Sequence, residues 1–485
     1  MEEKESIPTK YDDALDYLQT HSQDVDSIDL PALRRKVDYR IIPFMFGCFF
    51  LQSLDKMLLN YAGVMGLKTD LNLTGNDFSN TATWLNIACL IAEIPNVYFL
   101  QKAPPAKWLG LNILLWGTVV AASAATTSYT TLLTARIFLG FFEATLGPSL
   151  MLLSSQYYTR DEQSLRFTFW YLGLGLAQII GGVISFGFQY VRHASMAGWR
   201  LMFLVLGVVT AAVGGLIVLF MPDTPMKASW LAEGEKVALL KHVSVNQTGV
   251  RNSNVGFCWR QIWEAVLDVQ IWLWLLIATL STITSGVVAT YSTTLIANFG
   301  FSPPHAALLN TPSGLVSMIF TLLVGTGIRR TAHRWLYIIA TSLPAITGGC
   351  LLAFLSESNK PGMLIVVYLV NSAVAVYPII LQWAAANCAG ATKRAFTGPL
   401  VAAGFSAGQI IGPQTFQARD APGYKPAKVV VVGVNASVAV VAGVLVGYYV
   451  WENRRRDKVK DEVDEVDARW AGLTDKENRA FRYVY

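Results

Sequence analysis

Five ionisable side chains lie inside long apolar stretches of this 485-residue chain, at Asp55, Lys56, Glu93, Arg136 and Glu143. On insertion scales, a charged residue costs about 2.5–3.5 kcal/mol at the centre of a membrane helix, so it marks a functional site by default. The apolar stretches of the second half carry uncharged polar groups instead. The ionisable chemistry is therefore concentrated in the first half.

Arg136 and Glu143 are seven residues apart, about two helical turns, so their side chains point to nearly one face, roughly 10 Å apart along the axis. With Asp55 and Lys56 they form a candidate site around one cavity. We predict that Lys56 and Arg136 bind an anionic carboxylate through charge-assisted hydrogen bonds. Asp55 and Glu143 are the candidate proton carriers, because burial favours the neutral form of a carboxyl group.

Structural roles for the same residues remain open at this point. Arg136 lies near one end of its stretch and could extend to the interface or brace neighbouring helices. Lys56 could simply neutralise Asp55. Glu93 lies near a helix end, and we assign it a structural role rather than proton transfer.

Polar and aromatic residues of the second half are candidates for completing the pocket and selecting the bound molecule. These candidate substrate-binding residues are Tyr291, Asn371, Tyr377, Gln382 and Trp383. Each could equally be an ordinary contact between membrane helices, where Asn and Gln side chains often bridge neighbours.

The composition indicates which elements hold these residues. Hydrophobic residues make up 53% of the chain and charged residues only 15%, which excludes a disordered or collagen-like chain and is unusual for a soluble protein. Residues 269–328 contain no Asp, Glu, Lys or Arg. Because about 20 apolar residues cross a bilayer, this stretch must form two spans with a turn at residues 300–305.

Applied along the chain, the same criterion predicts an all-α polytopic membrane protein, because the apolar runs are about twice as long as a membrane β-strand. Twelve helices form two pseudo-symmetric six-helix bundles. The predicted spans are residues 41–61, 80–100, 108–126, 131–152, 167–190, 201–221, 270–297, 306–328, 335–355, 362–388, 396–416 and 429–451.

An internal repeat supports the division into six plus six. Gly-Leu-Ala-Gln-Ile-Ile-Gly-Gly at 175–182, in the fifth span, is echoed by Ser-Ala-Gly-Gln-Ile-Ile-Gly-Pro at 406–413, in the eleventh. Such repeats are expected where a molecule binds between two bundles that rock about a midplane site. The alternative is that glycine-rich helices resemble one another by composition.

The distribution of Lys and Arg predicts the topology, because short basic loops stay on the cytoplasmic side. Both termini are predicted to be cytoplasmic. The predicted domains are a cytosolic tail at 1–38, a six-helix bundle at 39–221, a cytosolic linker with amphipathic helices near 230–236 and 259–267, a second bundle at 269–451 and a cytosolic tail at 452–485. The linker as a whole covers 222–268.

Several partners are excluded or suggested by the remaining residues. The net charge of +5 follows from the loop topology, so we expect no nucleic-acid partner. The five cysteines have no metal-ligand spacing, and we expect no disulfide, metal or other cofactor. Asn72-Leu73-Thr74 is a glycosylation sequon in the first predicted external loop. We expect a monomer in the lipid bilayer.

Longer motifs resemble a known family. Arg136-Ile-Phe-Leu-Gly140-Phe-Phe-Glu143-Ala144, Met221-Pro-Asp-Thr-Pro225, Trp383-Ala-Ala-Ala-Asn387 and Gln409-Ile-Ile-Gly412-Pro413-Gln414-Thr-Phe416-Gln417 are similar to the major facilitator superfamily, in particular its fungal allantoate permease branch among the anion:cation symporters. The resemblance covers about residues 37–455. It implies that an acidic–basic pair in the first span and a basic–acidic pair in the fourth couple protons to an anion.

The leading hypothesis is a secondary active transporter that moves a small organic anion, such as a vitamin or nitrogen-containing carboxylate, with protons across the fungal plasma membrane by alternating access. The alternative is proton-antiport efflux of a fungal secondary metabolite. From other classes, a nutrient receptor derived from a transporter or an intramembrane enzyme is not favoured, because the sequence lacks His-Glu-x-x-His and an ATP-binding loop.

Overall fold

The molecule is almost entirely helical in the computed structural model. The structure describes residues 17–18, 20, 28–191, 196–244, 259–331, 333–354, 359–421, 423–458, 474–478 and 481–485. Its α-helices are Leu30–Val64, Leu67–Asp70, Asp77–Lys102, Pro105–Ser123, Tyr129–Glu143, Leu146–Tyr157, Arg160–Tyr171, Gly173–Gln189, Gly198–Phe220, Glu233–Ser244, Trp259–Leu267, Val269–Asn298, Pro303–Leu309, Thr311–Thr331, Arg334–Phe354, Lys360–Val370, Val376–Asn387, Ala391–Gln414 and Lys425–Asp457. Short 3-10 helices lie at Pro225–Lys227, Asn371–Ala375 and Ala418–Asp420.

Within this described part of the chain, eleven helical runs are long and apolar enough to cross a membrane. They are span 1 (Leu30–Val64), span 2 (Asp77–Leu100), span 3 (Pro105–Ser123), span 4 (Tyr129–Tyr157), span 5 (Arg166–Gln189), span 6 (Gly198–Phe220), span 7 (Val269–Asn298), span 8 (Pro303–Ile328), span 10 (Lys360–Asn387), span 11 (Thr392–Gln414) and span 12 (Lys425–Asp457). The helix Arg334–Phe354 occupies the predicted ninth position and is named span 9. All twelve predicted positions are therefore helical.

Successive spans run in opposite directions, so the start of span 1, the described linker helices and the described C-terminal residues lie at one end of the bundle. We call this end the tail end and the opposite end the loop end. Span 5 packs between spans 1 and 8, and span 11 packs between spans 7 and 2. The fifth and eleventh helices therefore have equivalent places in the two halves, which confirms the pseudo-symmetric pair of bundles.

Glycines in both repeated segments lie where the fifth and eleventh helices closely approach a neighbouring span. A side chain at Gly182 would collide with the Ala307 carbonyl of span 8, and one at Gly408 would collide with the Thr279 carbonyl of span 7. Small residues are preferred at such contacts because they let backbones touch. Glycines of both repeated segments thus permit close helix packing, although Gly182 and Gly408 do not occupy equivalent positions of the repeat.

Two interruptions of helices are explained by proline. Pro148 is the third residue of the helix Leu146–Tyr157, and its ring would clash with the carbonyl four residues earlier, so the helix breaks directly after Glu143. Pro378 likewise cannot donate a hydrogen bond to Val374, and the preceding turn tightens into the 3-10 helix Asn371–Ala375. Both interruptions lie in the middle of a span.

Three boundaries differ from the sequence prediction. Span 1 begins at Leu30, inside the predicted tail, and span 12 continues to Asp457. The first linker helix is Glu233–Ser244, so its predicted position at 230–236 is too early. The second linker helix lies where predicted, with Trp259, Trp263 and Leu267 all exposed along one face.

The glycine packing gives a testable prediction. Gly408→Ala should lower the thermal stability of the detergent-solubilised protein, because overpacking a tight contact costs about 1–3 kcal/mol and the opposing atom is backbone. Gly443→Ala on span 12 is the matched control, since nothing lies within 4 Å of the added methyl group. Equal melting temperatures for the two variants would contradict this account of the span 7–span 11 contact.

Candidate functional site

An ion pair joins spans 1 and 4 near the middle of the first bundle. The Lys56 Nζ lies 2.8 Å from the Glu143 Oε1, and the Gln52 amide donates to the same oxygen at 2.8 Å. The Glu143 side chain is completely buried, whereas 22% of the Lys56 side chain remains exposed. The carboxylate is therefore enclosed by protein, whereas part of the lysine side chain is accessible.

A second pair of opposite charges lies deeper in the same bundle. Adjacent helical residues point about 100° apart, so Asp55 meets different neighbours from Lys56. Thr210 of span 6 donates to the Asp55 Oδ2 at 3.5 Å. Arg136, only 2% exposed, lies within electrostatic range of both Asp55 and Glu143. The structure thus brings together all four charged residues that the sequence singled out.

The second half contributes aromatic rings to this site. The Lys56 Nζ lies 5.7 Å from the centre of the Phe405 ring on span 11, and that ring lies 4.7 Å from the ring of Tyr377 on span 10. Cys89 and Glu93 of span 2 lie within electrostatic range of Lys56. We call this group of residues the central cluster: Gln52, Asp55, Lys56, Arg136, Glu143, Tyr377 and Phe405.

Amide side chains join the two halves at the loop end. The Asn76 amide donates to Gln417 at 2.7 Å, and the Gln414 amide donates to Asn80 at 3.1 Å and to Thr83 at 2.8 Å. Span 2 is thereby attached to the end of span 11 and the residues after it. The described conformation is closed at the loop end by these contacts.

Tyr291 belongs to this loop-end closure and not to the central cluster. Its hydroxyl is hydrogen-bonded to Ser79 of span 2, and its ring stacks on Phe416 with 4.6 Å between ring centres. Lys68 lies 4.2 Å from the centre of the neighbouring Phe78 ring. The aromatic group therefore adds packing and a cation–π contact to the amide contacts.

The other predicted residues lie elsewhere. Asn371 is buried and donates to the Val367 carbonyl of its own helix. Gln382 is half-buried on span 10, whereas Trp383 is fully buried and its indole donates to the Val484 carbonyl at the end of the chain. Asn72 is in an exposed turn at the loop end with a φ of 50°. Of the second-half candidates, Tyr377 is brought to the central cluster.

Comparison with known proteins decides the family. The family model of the Major Facilitator Superfamily matches residues 45–413. The chain belongs to the Major Facilitator Superfamily. Among its relatives is the thiamine pathway transporter of Saccharomyces cerevisiae, 38% identical over 94% of this chain and 86% of the relative. The allantoate permease of the same yeast is 31% identical over 93% of this chain and 86% of the permease. The predicted resemblance is confirmed.

Solved structures of other transporters have a similar fold. The E. coli xylose transporter XylE, in a partially occluded inward-open conformation, aligns with a TM-score of 0.63 at 14% identity, over 83% of this chain and 97% of that one. A bacterial homologue of the human lysosomal transporter Spinster aligns with a TM-score of 0.60 at 15% identity, over 86% and 96%. Together with the family model and the named relatives, this fold shows a multi-pass membrane transporter and not an enzyme.

Three residues in or beside the central cluster were not predicted from the sequence, namely Gln52, Thr210 and Phe405. Gln52 carried a usable signal, because it is a polar residue one turn before Lys56 on an apolar helix. Thr210 and Phe405 carried none, since span 6 and span 11 are far from span 1 along the chain. Their roles depend on which helices pack together.

The buried ion pair of the central cluster gives a stability prediction. Lys56→Met or Glu143→Gln should destabilise the protein by about 3–5 kcal/mol, because each leaves an uncompensated buried partner. The double variant should lose less than the sum of the two. Thermal unfolding in detergent measures all three, and Lys36→Met, which breaks the exposed pair with Glu235, is the control at about 0–1 kcal/mol. Additive losses would argue against a direct pair.

Proposed function

We propose that this transporter is a proton-coupled symporter of a small organic anion, with the central cluster as its binding and coupling site. The observation that carries the proposal is the ion pair between Lys56, whose side chain is partly exposed, and the fully buried Glu143 carboxylate. An incoming carboxylate can replace Glu143 as the partner of Lys56 once Glu143 has taken up a proton. The anion and the proton would then bind together.

Charge balance in the central cluster supports coupling. Two cations, Lys56 and Arg136, face two carboxylates, Asp55 and Glu143, so the four groups sum to zero when all are ionised. A bound monoanion makes the sum −1, and an uncompensated charge away from water is costly. One proton on Asp55 or Glu143 restores neutrality. The same arithmetic gives at least one proton for each monoanion transported.

Unpaired hydrogen-bonding atoms support an anionic ligand. Within the described part of the chain, the Nε and Nη2 of Arg136 are buried and make no hydrogen bond. A buried donor without a partner costs about 1–3 kcal/mol. A carboxylate presents two oxygens to a guanidinium fork and matches such donors. Arg136 is thus assigned to anion binding beside Lys56.

The second half is assigned to selection of the cargo. Tyr377 and Phe405 present aromatic surface opposite Lys56, which suits a cargo with a planar or apolar portion beside its carboxylate. Asn371, Gln382 and Trp383 lie on the same span as Tyr377 but outside the central cluster, so they are assigned no direct contact with the cargo. The name of one relative, allantoate permease, records a nitrogen-containing carboxylate and supports this cargo class.

We assign the tail end to the cytoplasm and the protein to the plasma membrane, as a monomer. The basic loops support this orientation. In that orientation the loop-end closure, with Tyr291, separates the central cluster from the outside, and cargo would be released from this conformation into the cell. Efflux by proton antiport is the outcome to expect if cells lacking the protein accumulate the cargo inside.

Transport assays test the site. In yeast lacking its own vitamin and allantoate carriers, uptake of organic acids including allantoate should rise at acidic external pH. Arg136→Ala should lower uptake about 10- to 100-fold, the equivalent of one charged hydrogen bond. Glu143→Gln should abolish accumulation driven by the pH gradient yet retain exchange of labelled for unlabelled cargo, because glutamine carries no proton.

Matched variants control this assay. Glu93→Gln removes a neighbouring carboxyl group assigned a structural role and should keep the pH response. Lys425→Ala removes an exposed cation at the loop end and should leave uptake unchanged. If no anion responds to pH despite surface expression, symport is wrong; if Glu143→Gln still accumulates cargo against a gradient, the coupling site lies elsewhere.

Asn72 tests the orientation. If the loop end faces the secretory lumen and then the outside, Asn72 is glycosylated and endoglycosidase treatment increases gel mobility. Asn72→Gln should abolish the shift. Asn246→Gln, in a sequon of the linker that lies outside the described residues, should not. If the mobility shift depends on Asn246 instead, the linker faces the lumen and the predicted topology is inverted.

A further inference from the structure

The end of the chain is bound to the tail end of the second bundle. The described residues 474–478 and 481–485, which we call the C-terminal segment, include Thr474 and Asp475 with no exposed surface and Tyr483 with 2% exposed. A charged tail after the last span would ordinarily be solvated. Burial of this kind indicates a specific binding surface for the segment.

One buried lysine is the hub of this surface. Lys393, at the start of span 11, has no exposed side-chain surface. Its ammonium lies 2.8 Å from Glu264 of the helix Trp259–Leu267, 2.7 Å from Asp268 before span 7 and 2.8 Å from Asp475 of the C-terminal segment. An ammonium has three donors, and here each has its own carboxylate. The Lys393 ammonium therefore connects four elements, which are span 11, the helix Trp259–Leu267, the start of span 7 and the C-terminal segment.

Neutral donors complete the ionic hub. The Gln270 amide donates to Asp268 at 2.7 Å and to Asp475 at 2.8 Å. The Tyr483 hydroxyl donates to Asp475 at 2.7 Å. Burial, with the nearby Asp475 charge, raises the pKa of Tyr483, so the phenol remains a donor at cellular pH. The contacts of Asp475 with Lys393 and Gln270 therefore form only while the C-terminal segment is docked.

The last residues bind across three spans. The Trp383 indole and the Asn387 amide of span 10 both donate to the Val484 carbonyl, at 2.9 and 2.8 Å. The Arg334 amide of span 9 donates to the Tyr485 carbonyl at 2.9 Å. The ring of Tyr483 stacks on Tyr449 of span 12, with 5.0 Å between centres. This explains the burial of Trp383 far from the central cluster.

The C-terminal segment also shapes the turn between spans 10 and 11. The Ala389 amide donates to Asp475, and the Thr392 amide donates to Gln261 of the linker helix. Gly390 has a φ of 91°, and a side chain there would collide with Thr474. The conformation of the turn is thus set jointly by the segment and the linker helix.

We propose that the C-terminal segment is an intramolecular strap that positions the tail ends of spans 10 and 11, with Lys393 as the positioning residue through which it acts. These two spans carry Tyr377 and Phe405 to the central cluster. Access to the cluster from the tail end therefore depends on a docked strap. This inference rests on the transporter fold and on none of the proposed cargo or coupling.

Two native thiols test the strap without any cargo. Cys388 is buried in the turn beside Asp475, and Cys89 of span 2 lies within electrostatic range of Lys56 of the central cluster. In a Cys258→Ser background, a chain ending at residue 473 should label at Cys388 with a membrane-permeant maleimide, whereas the full chain should not. The labelling rate of Cys89 should change at least about threefold, because the tail-end opening changes.

Thr474→Glu tests the same idea in a full-length chain. The Thr474 hydroxyl donates to Glu264 at 2.8 Å, so a carboxylate at this position would be repelled by Glu264 and release the strap. Thr474→Val, which removes the hydrogen bond without adding charge, is the matched control and should label less. Buried Cys48 in the first bundle must stay unlabelled, which separates strap release from unfolding.

A synthetic peptide of residues 474–485 should restore protection of Cys388 and the original Cys89 rate in the truncated chain. The same peptide with Asp475→Lys should not, because its ammonium would face Lys393. If Cys388 stays protected without the segment, the strap is not docked as described. If Cys388 becomes reactive while the Cys89 rate is unchanged, the segment is only a local cap and the proposal is wrong.

Discussion

A charge inside a membrane protein must find a partner or water, and this constraint organises the whole molecule. In the first bundle, Lys56 and Glu143 pair across two helices, with Asp55 and Arg136 close behind them. In the described part of the second bundle, the buried charges lie at the tail end, at Lys393 with its carboxylates and at Arg456 with Glu452. The two pseudo-symmetric halves are thus electrostatically unlike. One holds ionisable groups at mid-depth, and the other faces them with aromatic rings.

The contacts at the two ends of the molecule differ in strength. The loop-end closure uses neutral amides such as Asn76 with Gln417, and each such hydrogen bond contributes about 0.5–1.5 kcal/mol net. Contacts of this size can exchange for water when the halves separate. The hub at Lys393 joins elements of one half only, and separating a buried charge from its partners costs several kcal/mol. Weak contacts therefore lie between the halves and strong ones within them.

The sequence predicted what depends on local pattern. Apolar run length predicted the spans, and the cost of membrane charge selected Asp55, Lys56, Arg136 and Glu143, which the fold brings together. Trp383 could not be assigned from the sequence, because a buried aromatic residue has the same local pattern whether it contacts a ligand or the C-terminal segment. The strap was missed for a related reason. The residues that it contacts lie up to about two hundred positions away along the chain, and local periodicity does not predict contacts over such a distance.

Placement of both charge pairs in one bundle bears on how transport could proceed. Spans 1 and 4 lie in the same half, so a rocking motion of the two halves would not by itself separate Lys56 from Glu143. It would instead change the distance from Lys56 to Phe405 in the other half. Protonation within one rigid bundle would alter the charge presented to the moving half. The proton and the cargo would then influence the same interface, which is the condition for coupling them.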